Sequence, residues 1–180
     1  MDIQDIDDLV QSHVYTQDYA TKVTIEGVKL IPVKYSVGDE GDFSELMRLD
    51  DKGEVEAMPG FKLAQINRTQ LFPGSVKAWH LHLKQNEFWY LPPQFQMMVG
   101  LWDLRKHSQT VNKTMRVNVG GGTSCLLYVP CGVAHGAAVF GNRNIELFYF
   151  VNQKFDIKDP DEKRIRWDYL GKEFWSPERD

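Results

Sequence analysis

The sequence predicts an all-β fold, built as a sandwich or barrel of short antiparallel strands. From Lys22 onward, short segments rich in β-branched and aromatic residues alternate with turns that contain Pro or Gly, and few segments show helical spacing. The chain has 180 residues, of which 42% are hydrophobic. This is enough for one packed core, and no repeat or break in composition marks a second one. We therefore expect a single domain over residues 1–180.

The strand candidates follow one another closely along the chain. Residues 22–35 alternate between apolar and polar side chains around Gly27. The later candidates are residues 61–72, 87–91, 95–104, 114–119, 124–129, 135–140 and 145–151. Two segments rich in Gly and acidic residues, GDEGDF and DDKGEVEAMPG, predict turns or loops.

The two ends of the chain have patterns of their own. Apolar residues recur at near-helical spacing between aspartates in residues 1–14, which predicts a short amphipathic helix within an N-terminal helical segment, residues 1–20. The C-terminal segment, residues 156–180, is charged but carries several large apolar side chains. A disordered tail rarely holds so many. We expect this tail to pack against the barrel.

Composition argues against several classes of partner. The net charge of −4 gives no general electrostatic support for binding nucleic acid or an anionic membrane. No apolar run approaches the roughly 18 residues that a membrane span needs. The acidic N-terminus does not resemble a signal peptide, and two cysteines, Cys125 and Cys131, suit a reducing compartment. We expect a cytoplasmic protein with a small-molecule partner.

The segment from Gly74 to Glu87, GSVKAWHLHLKQNE, carries the strongest chemical signal. His80 and His82 lie two residues apart, so on a strand they point to the same face, and Glu87 joins them if the chain turns after them. The later segment PCGVAH adds His135. Three imidazoles and a carboxylate then converge. This combination suits either a metal site or acid–base groups around an organic substrate.

Two motifs in these segments resemble those of the cupin superfamily. Gly74 to Glu87 matches the pattern G-x5-H-x-H-x4-E, and Pro130 to His135 matches P-x-G-x-x-H. The resemblance implies a cupin-type jelly-roll barrel of antiparallel strands with, in this chain, a short N-terminal helix.

A closer resemblance is to the dTDP-4-dehydrorhamnose 3,5-epimerase family, which is built on a cupin barrel. It covers about four-fifths of the chain, from Val37 to the C-terminus. The segments that carry it are VGDEGDFSEL, QINRT, KAWH, VGLWDLRKHSQT, LLYVPCGVAHGAAVF, ELFYFVN and RIRWD. The resemblance implies an epimerase or isomerase of nucleotide-linked 4-keto sugars that removes a proton next to the carbonyl and needs no cofactor. It also implies a homodimer.

The same resemblance assigns roles to individual residues. His80 takes the position of the catalytic base and Tyr149 that of the general acid, and the ring N–H of His135 or Lys77 is expected to steady the enolate oxygen. The substrate-binding candidates are Gln65, Asn67, Lys77, His82 and Glu87. Four positions depart from the family pattern: Lys77 and Glu40 replace arginines, His82 replaces a glutamine, and Glu87 stands near the position of a lysine.

Two other functions remain open from the residues alone. One is a metal-dependent cupin enzyme, an oxygenase or isomerase, in which His80, His82, Glu87 and His135 bind a divalent ion such as Zn, Fe, Mn or Ni. The other is a cupin that binds a sugar or nucleotide without converting it.

Overall fold

Two antiparallel five-stranded sheets face each other in the computed structural model, which describes residues 1–17 and 24–178. The first sheet has the strand order β1-β9-β6-β11-β4 and the second has the order β12-β5-β10-β7-β8; β2 and β3 form a separate hairpin. This arrangement confirms the predicted cupin-type jelly roll. The strands are β1 (Lys29–Pro32), β2 (Tyr35–Gly38), β3 (Gly41–Ser44), β4 (Gln65–Leu71), β5 (Val76–Leu81), β6 (Glu87–Tyr90), β7 (Gln96–Asp103), β8 (Thr114–Gly120), β9 (Cys125–Val129), β10 (Val133–Ala138), β11 (Ile145–Val151) and β12 (Lys163–Arg164).

The apolar side chains form three layers around these two sheets. The first layer lies between the sheets and includes Val99, Leu127 and Leu147. The second covers the outer face of the first sheet, where Phe61 packs edge-on against Phe88 with ring centroids 4.8 Å apart. The third covers the outer face of the second sheet. Central strands are therefore buried on both faces, which explains why segments such as β6 and β10 do not alternate apolar and polar residues.

The C-terminal segment forms the third layer. Trp175 is buried, and its ring centroid lies 4.7 Å from that of Trp79, which is fully buried in the second sheet. The Trp175 indole N–H donates to the carbonyl of Trp167 at 2.7 Å. Gly100 in β7 makes room for this packing, because a Cβ there would lie 2.6 Å from the rings of Phe174 and Trp175.

The N-terminal helix is shorter than the predicted one. The structure has a 3-10 turn at Ile3–Asp5 and one α-helical turn, α1, at Asp8–Gln11. The side chain of Asp2 accepts the backbone N–H of Ile3, and that of Asp7 accepts the N–H of Leu9. Each aspartate begins a new turn, so the segment divides into two pieces instead of forming one helix. Residues 18–20 of the predicted segment lie outside the described residues.

The structure differs from the sequence prediction at two further places. GDEGDF contains a turn at Asp39 and Glu40, as predicted, but its other residues belong to the paired strands β2 and β3. β12 was not predicted, since two charged residues in a polar tail carry no strand pattern. It pairs with β5, where Arg164 lies opposite His80, and forms the edge of the second sheet.

In the described part of the chain, no helix combines the length and the apolar character needed to cross a membrane.

Candidate active site

A cavity of about 620 Å³ opens between the two sheets. Both sheets contribute to its walls, because β4, β6 and β11 belong to the first sheet while β5 and β10 belong to the second. All eight site residues that the sequence predicts line this cavity. They are Gln65, Asn67, Lys77, His80, His82, Glu87, His135 and Tyr149. The structure therefore brings into one space the residues that the motifs and the family resemblance singled out.

A buried ion pair joins the two sheets at the back of the cavity. His135 on β10 donates from Nε2 to Oε1 of Glu87 on β6 at 2.8 Å, and both side chains are 3% exposed. The Trp89 indole also donates to Oε1 of Glu87, at 2.8 Å. Burial acts to raise the pKa of Glu87, but His135 outweighs it and lowers that pKa to about 2. Burial likewise acts to lower the pKa of His135, and Glu87 raises it. Each partner therefore favours the charged form of the other.

His80 lies beside this pair, held between two charged side chains. Its Nδ1 lies 3.2 Å from Oε1 of Glu162, and its Nε2 lies 2.7 Å from Nη1 of Arg164. Because a guanidinium can only donate, Nε2 carries the lone pair and Nδ1 carries the proton. Burial, then the charges of His135 and Arg164, lower the pKa of His80 to about 3. His80 is therefore a neutral imidazole whose Nε2 is the basic atom.

Asp161, in the segment before β12, holds the third histidine in place. Nδ1 of His82 contacts the carbonyl of Asp161, and its Nε2 lies 3.8 Å from Oε2 of Glu87. The carboxylate of Asp161 accepts the backbone N–H groups of three consecutive residues, Leu83, Lys84 and Gln85, at 2.8–2.9 Å. Burial acts against its ionisation, but these N–H donors lower the pKa of Asp161. Asp161 thus ties the segment before β12 to the turn after β5.

Tyr149 and two amides form the facing wall. Tyr149 on β11 is partly buried, and burial, followed by the charges of Glu87 and Glu162, raises its pKa. Its phenol therefore stays protonated at neutral pH. Gln65 and Asn67 lie side by side on β4, with Nε2 of Gln65 donating to Oδ1 of Asn67 at 2.7 Å.

Lys77 lies on β5, the same strand as His80, and donates to the hydroxyl of Thr69 at 3.1 Å.

The structure brings together three of the four residues of the metal alternative. Within the described residues, donor atoms of His82, Glu87 and His135 lie within 4.8 Å of one another, and His80 is not part of that group. A metal needs the unprotonated nitrogen of histidine. Nε2 of His135 instead donates to Glu87, and the raised pKa of His135 favours its protonated form. The geometry of these residues fits an ion pair better than a metal site.

The three residues that contact His80 and His82 from the segment before and within β12 were not predicted. Asp161, Glu162 and Arg164 all line the cavity, yet they belong to DPDEKR, which has the composition of a solvated tail. The pairing of β12 with β5 brings them to His80 and His82. No pattern within the segment itself indicates this pairing.

Fold and site together define a class: a cupin-type barrel with a neutral imidazole on one wall of its cavity and a protonated phenol on the other. Comparisons with known proteins agree. The family model described as dTDP-4-dehydrorhamnose 3,5-epimerase matches residues 22–171. The spore coat polysaccharide biosynthesis protein SpsL of Bacillus subtilis is 37% identical over 144 residues, which cover 80% of this chain and 91% of SpsL.

Solved structures show the same fold at lower sequence identity. A dTDP sugar isomerase from Desulfovibrio desulfuricans superimposes with a TM-score of 0.70 at 23% identity, covering 81% of this chain and 88% of the other. ChmJ, a 3′-monoepimerase from Streptomyces bikiniensis in complex with dTDP-quinovose, gives 0.67 at 16% identity, covering 79% and 71%. The chain belongs to the dTDP-4-dehydrorhamnose 3,5-epimerase family. It is thus an enzyme of sugar-nucleotide metabolism, an epimerase or isomerase of nucleotide-linked 4-keto sugars, as the sequence predicts.

Proposed function

We propose that this enzyme epimerises a dTDP-linked 4-keto sugar at C3, C5 or both, with His80 as the base and Tyr149 as the acid. One observation carries the proposal: the two side chains line one cavity but come from opposite sheets. Inversion at carbon requires a proton to leave from one face and to return from the other. A base and an acid on facing walls meet that requirement.

The proposed reaction balances without any added group. His80 Nε2 takes the proton of the C–H bond next to the C4 carbonyl. The electron pair of that bond forms the C=C bond of an enolate, and the π pair of the carbonyl moves to its oxygen. Glu162, at 3.2 Å from Nδ1, stabilises the imidazolium that results. Tyr149 then donates its phenolic proton to the other face of the carbon. Before the next cycle His80 releases its proton to solvent, and the phenolate of Tyr149 takes up a proton from solvent.

We assign the stabilisation of the enolate oxygen to Lys77, and we assign a different role to His135. Both ring nitrogens of His135 have partners already, since Nδ1 lies 3.0 Å from the carbonyl of Val133 and Nε2 donates to Glu87. Lys77 lines the cavity, and among the residues that the structure describes its hydrogen-bond partner is the neutral hydroxyl of Thr69, at 3.1 Å. A mobile ammonium can move from a hydroxyl to a developing oxyanion. His135 instead acts together with burial, the larger cause, to lower the pKa of His80.

The replacement of Tyr149 by Phe tests the proposed acid. In deuterated water the wild-type enzyme should place deuterium at C3 or C5 of a dTDP-linked 4-keto sugar. Tyr149→Phe should lower epimerisation about 100-fold or more while exchange falls much less, because deprotonation by His80 is spared. NMR of the recovered sugar measures both. Equal losses of exchange and epimerisation would assign the acid elsewhere. No exchange with dTDP-, UDP- or GDP-linked keto sugars would refute the proposed function.

We propose further that the enzyme needs no metal. The support is the hydrogen bond from Nε2 of His135 to Glu87, together with the capacity of the substrate carbonyl to take up the electron pair. Treatment with EDTA followed by gel filtration should therefore leave kcat/KM within about two-fold of its value before treatment. A loss of activity that returns only with added Zn²⁺, Fe²⁺, Mn²⁺ or Ni²⁺ would support the metal-dependent alternative.

We propose that the protein is a homodimer, acting in the cytoplasm as the sequence predicts. The support is an apolar surface that one chain leaves uncovered: Val37 and Phe43 on the β2–β3 hairpin are 74% and 72% exposed, and Ile66 on the edge strand β4 is 58% exposed. Sedimentation at micromolar concentration should give twice the chain mass of 20.8 kDa. Phe43→Glu should shift the mass towards one chain. A wild-type mass of one chain would contradict the dimer.

A further inference from the structure

The guanidinium of Arg164 is hydrogen-bonded to the nitrogen of His80 that the proposed reaction needs. Its Nη1 lies 2.7 Å from Nε2 of His80, the atom that carries the lone pair. While this hydrogen bond persists, the base cannot take a proton from carbon. A functional His80 therefore requires Arg164 to move.

Arg164 is placed so that it can move. Its side chain is 51% exposed at the wall of the cavity, on the two-residue strand β12 at the edge of the second sheet. Apart from His80, its partner among the described residues is the carboxylate of Glu162, 2.5 Å from Nη2. Rotation of the side chain needs no change in the sheet, because the backbone pairing of β12 with β5 does not involve the guanidinium.

The chemistry of the substrate supplies a reason for that movement. The hydrogen bond from Arg164 to His80 joins a cation to a neutral acceptor. A phosphate oxygen is an anionic acceptor, and two such oxygens match the planar fork of a guanidinium. A nucleoside diphosphate therefore competes well with the imidazole for Arg164.

We propose that Arg164 is a substrate-displaced cap on His80: the pyrophosphate of the nucleotide sugar binds the guanidinium and draws it away from Nε2, which frees the base only when substrate is bound. This inference rests on the proposed role of His80 and adds a control on that role. Such a cap protects the base from other proton donors and couples the binding of the anionic part of the substrate to reactivity at the sugar.

The charges around His80 fit this description. Arg164 is the positive side chain hydrogen-bonded to Nε2, and it also lowers the pKa of His80. Its departure therefore makes the imidazole more basic as well as accessible. The other charged groups that act on or contact His80 are Glu162 before β12, His135 on β10, Glu87 on β6 and Lys77 on β5 itself.

The cap can be tested without turnover by acylation of His80 with diethyl pyrocarbonate at a fixed neutral pH. Peptide mass spectrometry follows the rate at His80 relative to the exposed His107, which corrects for loss of reagent. Inorganic pyrophosphate should raise the relative rate in the wild-type enzyme at least three-fold. In the Arg164→Gln variant, acylation of His80 should be fast without pyrophosphate, and added pyrophosphate should not change its rate. Arg143→Gln, which removes an exposed arginine outside this cavity, should behave as the wild type.

Calorimetry with dTDP provides the second readout. Arg164→Gln should weaken dTDP binding about ten-fold, the usual effect of losing a hydrogen bond to a charged group, while Arg143→Gln should not. The cap is refuted if pyrophosphate slows or does not change acylation of His80 in the wild type, or if Arg164→Gln leaves dTDP binding unchanged. Neither readout needs catalysis, so a failure of the cap is distinguishable from a failure of the epimerase proposal.

Discussion

Replacement of His80 by alanine is expected to abolish deuterium exchange into the substrate. Among the described residues that line the cavity, His80 is the neutral imidazole with its lone pair on the side of Arg164 and its N–H held by Glu162. Loss of a general base costs about 10²–10⁴-fold in rate. The measurement is deuterium at C3 and C5 of a dTDP-linked 4-keto sugar after incubation in deuterated water.

The matched control for this experiment is His107→Ala. His107 is exposed in a loop and does not line the cavity, so exchange should stay at the wild-type rate. Circular dichroism should show that both variants are folded. Exchange within ten-fold of the wild type in a folded His80→Ala protein would show that another group removes the proton.

Replacement of Glu87 by glutamine is expected to cause a large loss of stability. The change leaves the buried His135, which is 3% exposed at its side chain, without its counter-charge. Breaking a buried ion pair from one side typically costs about 3–5 kcal/mol. For a chain of this size, each kcal/mol lowers Tm by roughly 2–4 °C, so a fall on the order of 10 °C is expected. Thermal unfolding followed by circular dichroism at pH 6 measures it.

A surface pair between a glutamate and a cationic side chain provides the control. Glu146 contacts Arg68 between β11 and β4, and both side chains are more than one-third exposed. Glu146→Gln should therefore change the free energy of unfolding by no more than about 1 kcal/mol. A double-mutant cycle that combines Glu87→Gln with His135→Gln should show that the losses of stability in these two single variants do not add. Additive losses would mean that the two residues stabilise the fold independently.

The pH dependence of stability should show the same pair. Glu87 has a pKa of about 2 in the folded protein against an ordinary value of 4.5, so its stabilisation is complete above pH 4.5 and is lost as the pH falls towards 2. The pKa of His135 is raised above 6.5, so its stabilisation is complete below pH 6.5 and is lost as the pH rises through the raised pKa. The difference in stability between wild type and Glu87→Gln should thus be largest between about pH 4.5 and 6.5.

The metal alternative and the proposed epimerase share several residues, and the structure adds the hydrogen-bond partners of those residues. From the sequence, His82, Glu87 and His135 suit either a metal or acid–base chemistry. The distance of 2.8 Å between His135 Nε2 and Glu87 Oε1 shows that one nitrogen already donates to the carboxylate. Hydrogen positions of this kind depend on neighbours in space, which residue spacing does not specify.

The position of Glu87 illustrates what motif spacing can and cannot predict. Its distance of five residues from His82 correctly predicted a shared cavity. The chain turns between β5 and β6, however, so that Glu87 stands on the sheet opposite His80. Its role as a link between the sheets follows from that placement, and the pattern of the segment alone does not contain it.

The sequence by itself predicted the all-β fold and, through its motifs and its resemblance to a known family, the candidate site residues, among them His80 and Tyr149. These depend on alternation within single strands and on short motifs, where a spacing of two residues decides which face a side chain takes. Only the tertiary structure decided the partners of those groups. Arg164 lies 84 residues from His80 in the chain, and Glu87 lies 48 residues from His135. Such contacts depend on the pairing of strands and the packing of sheets, to which residues far apart in the chain contribute together.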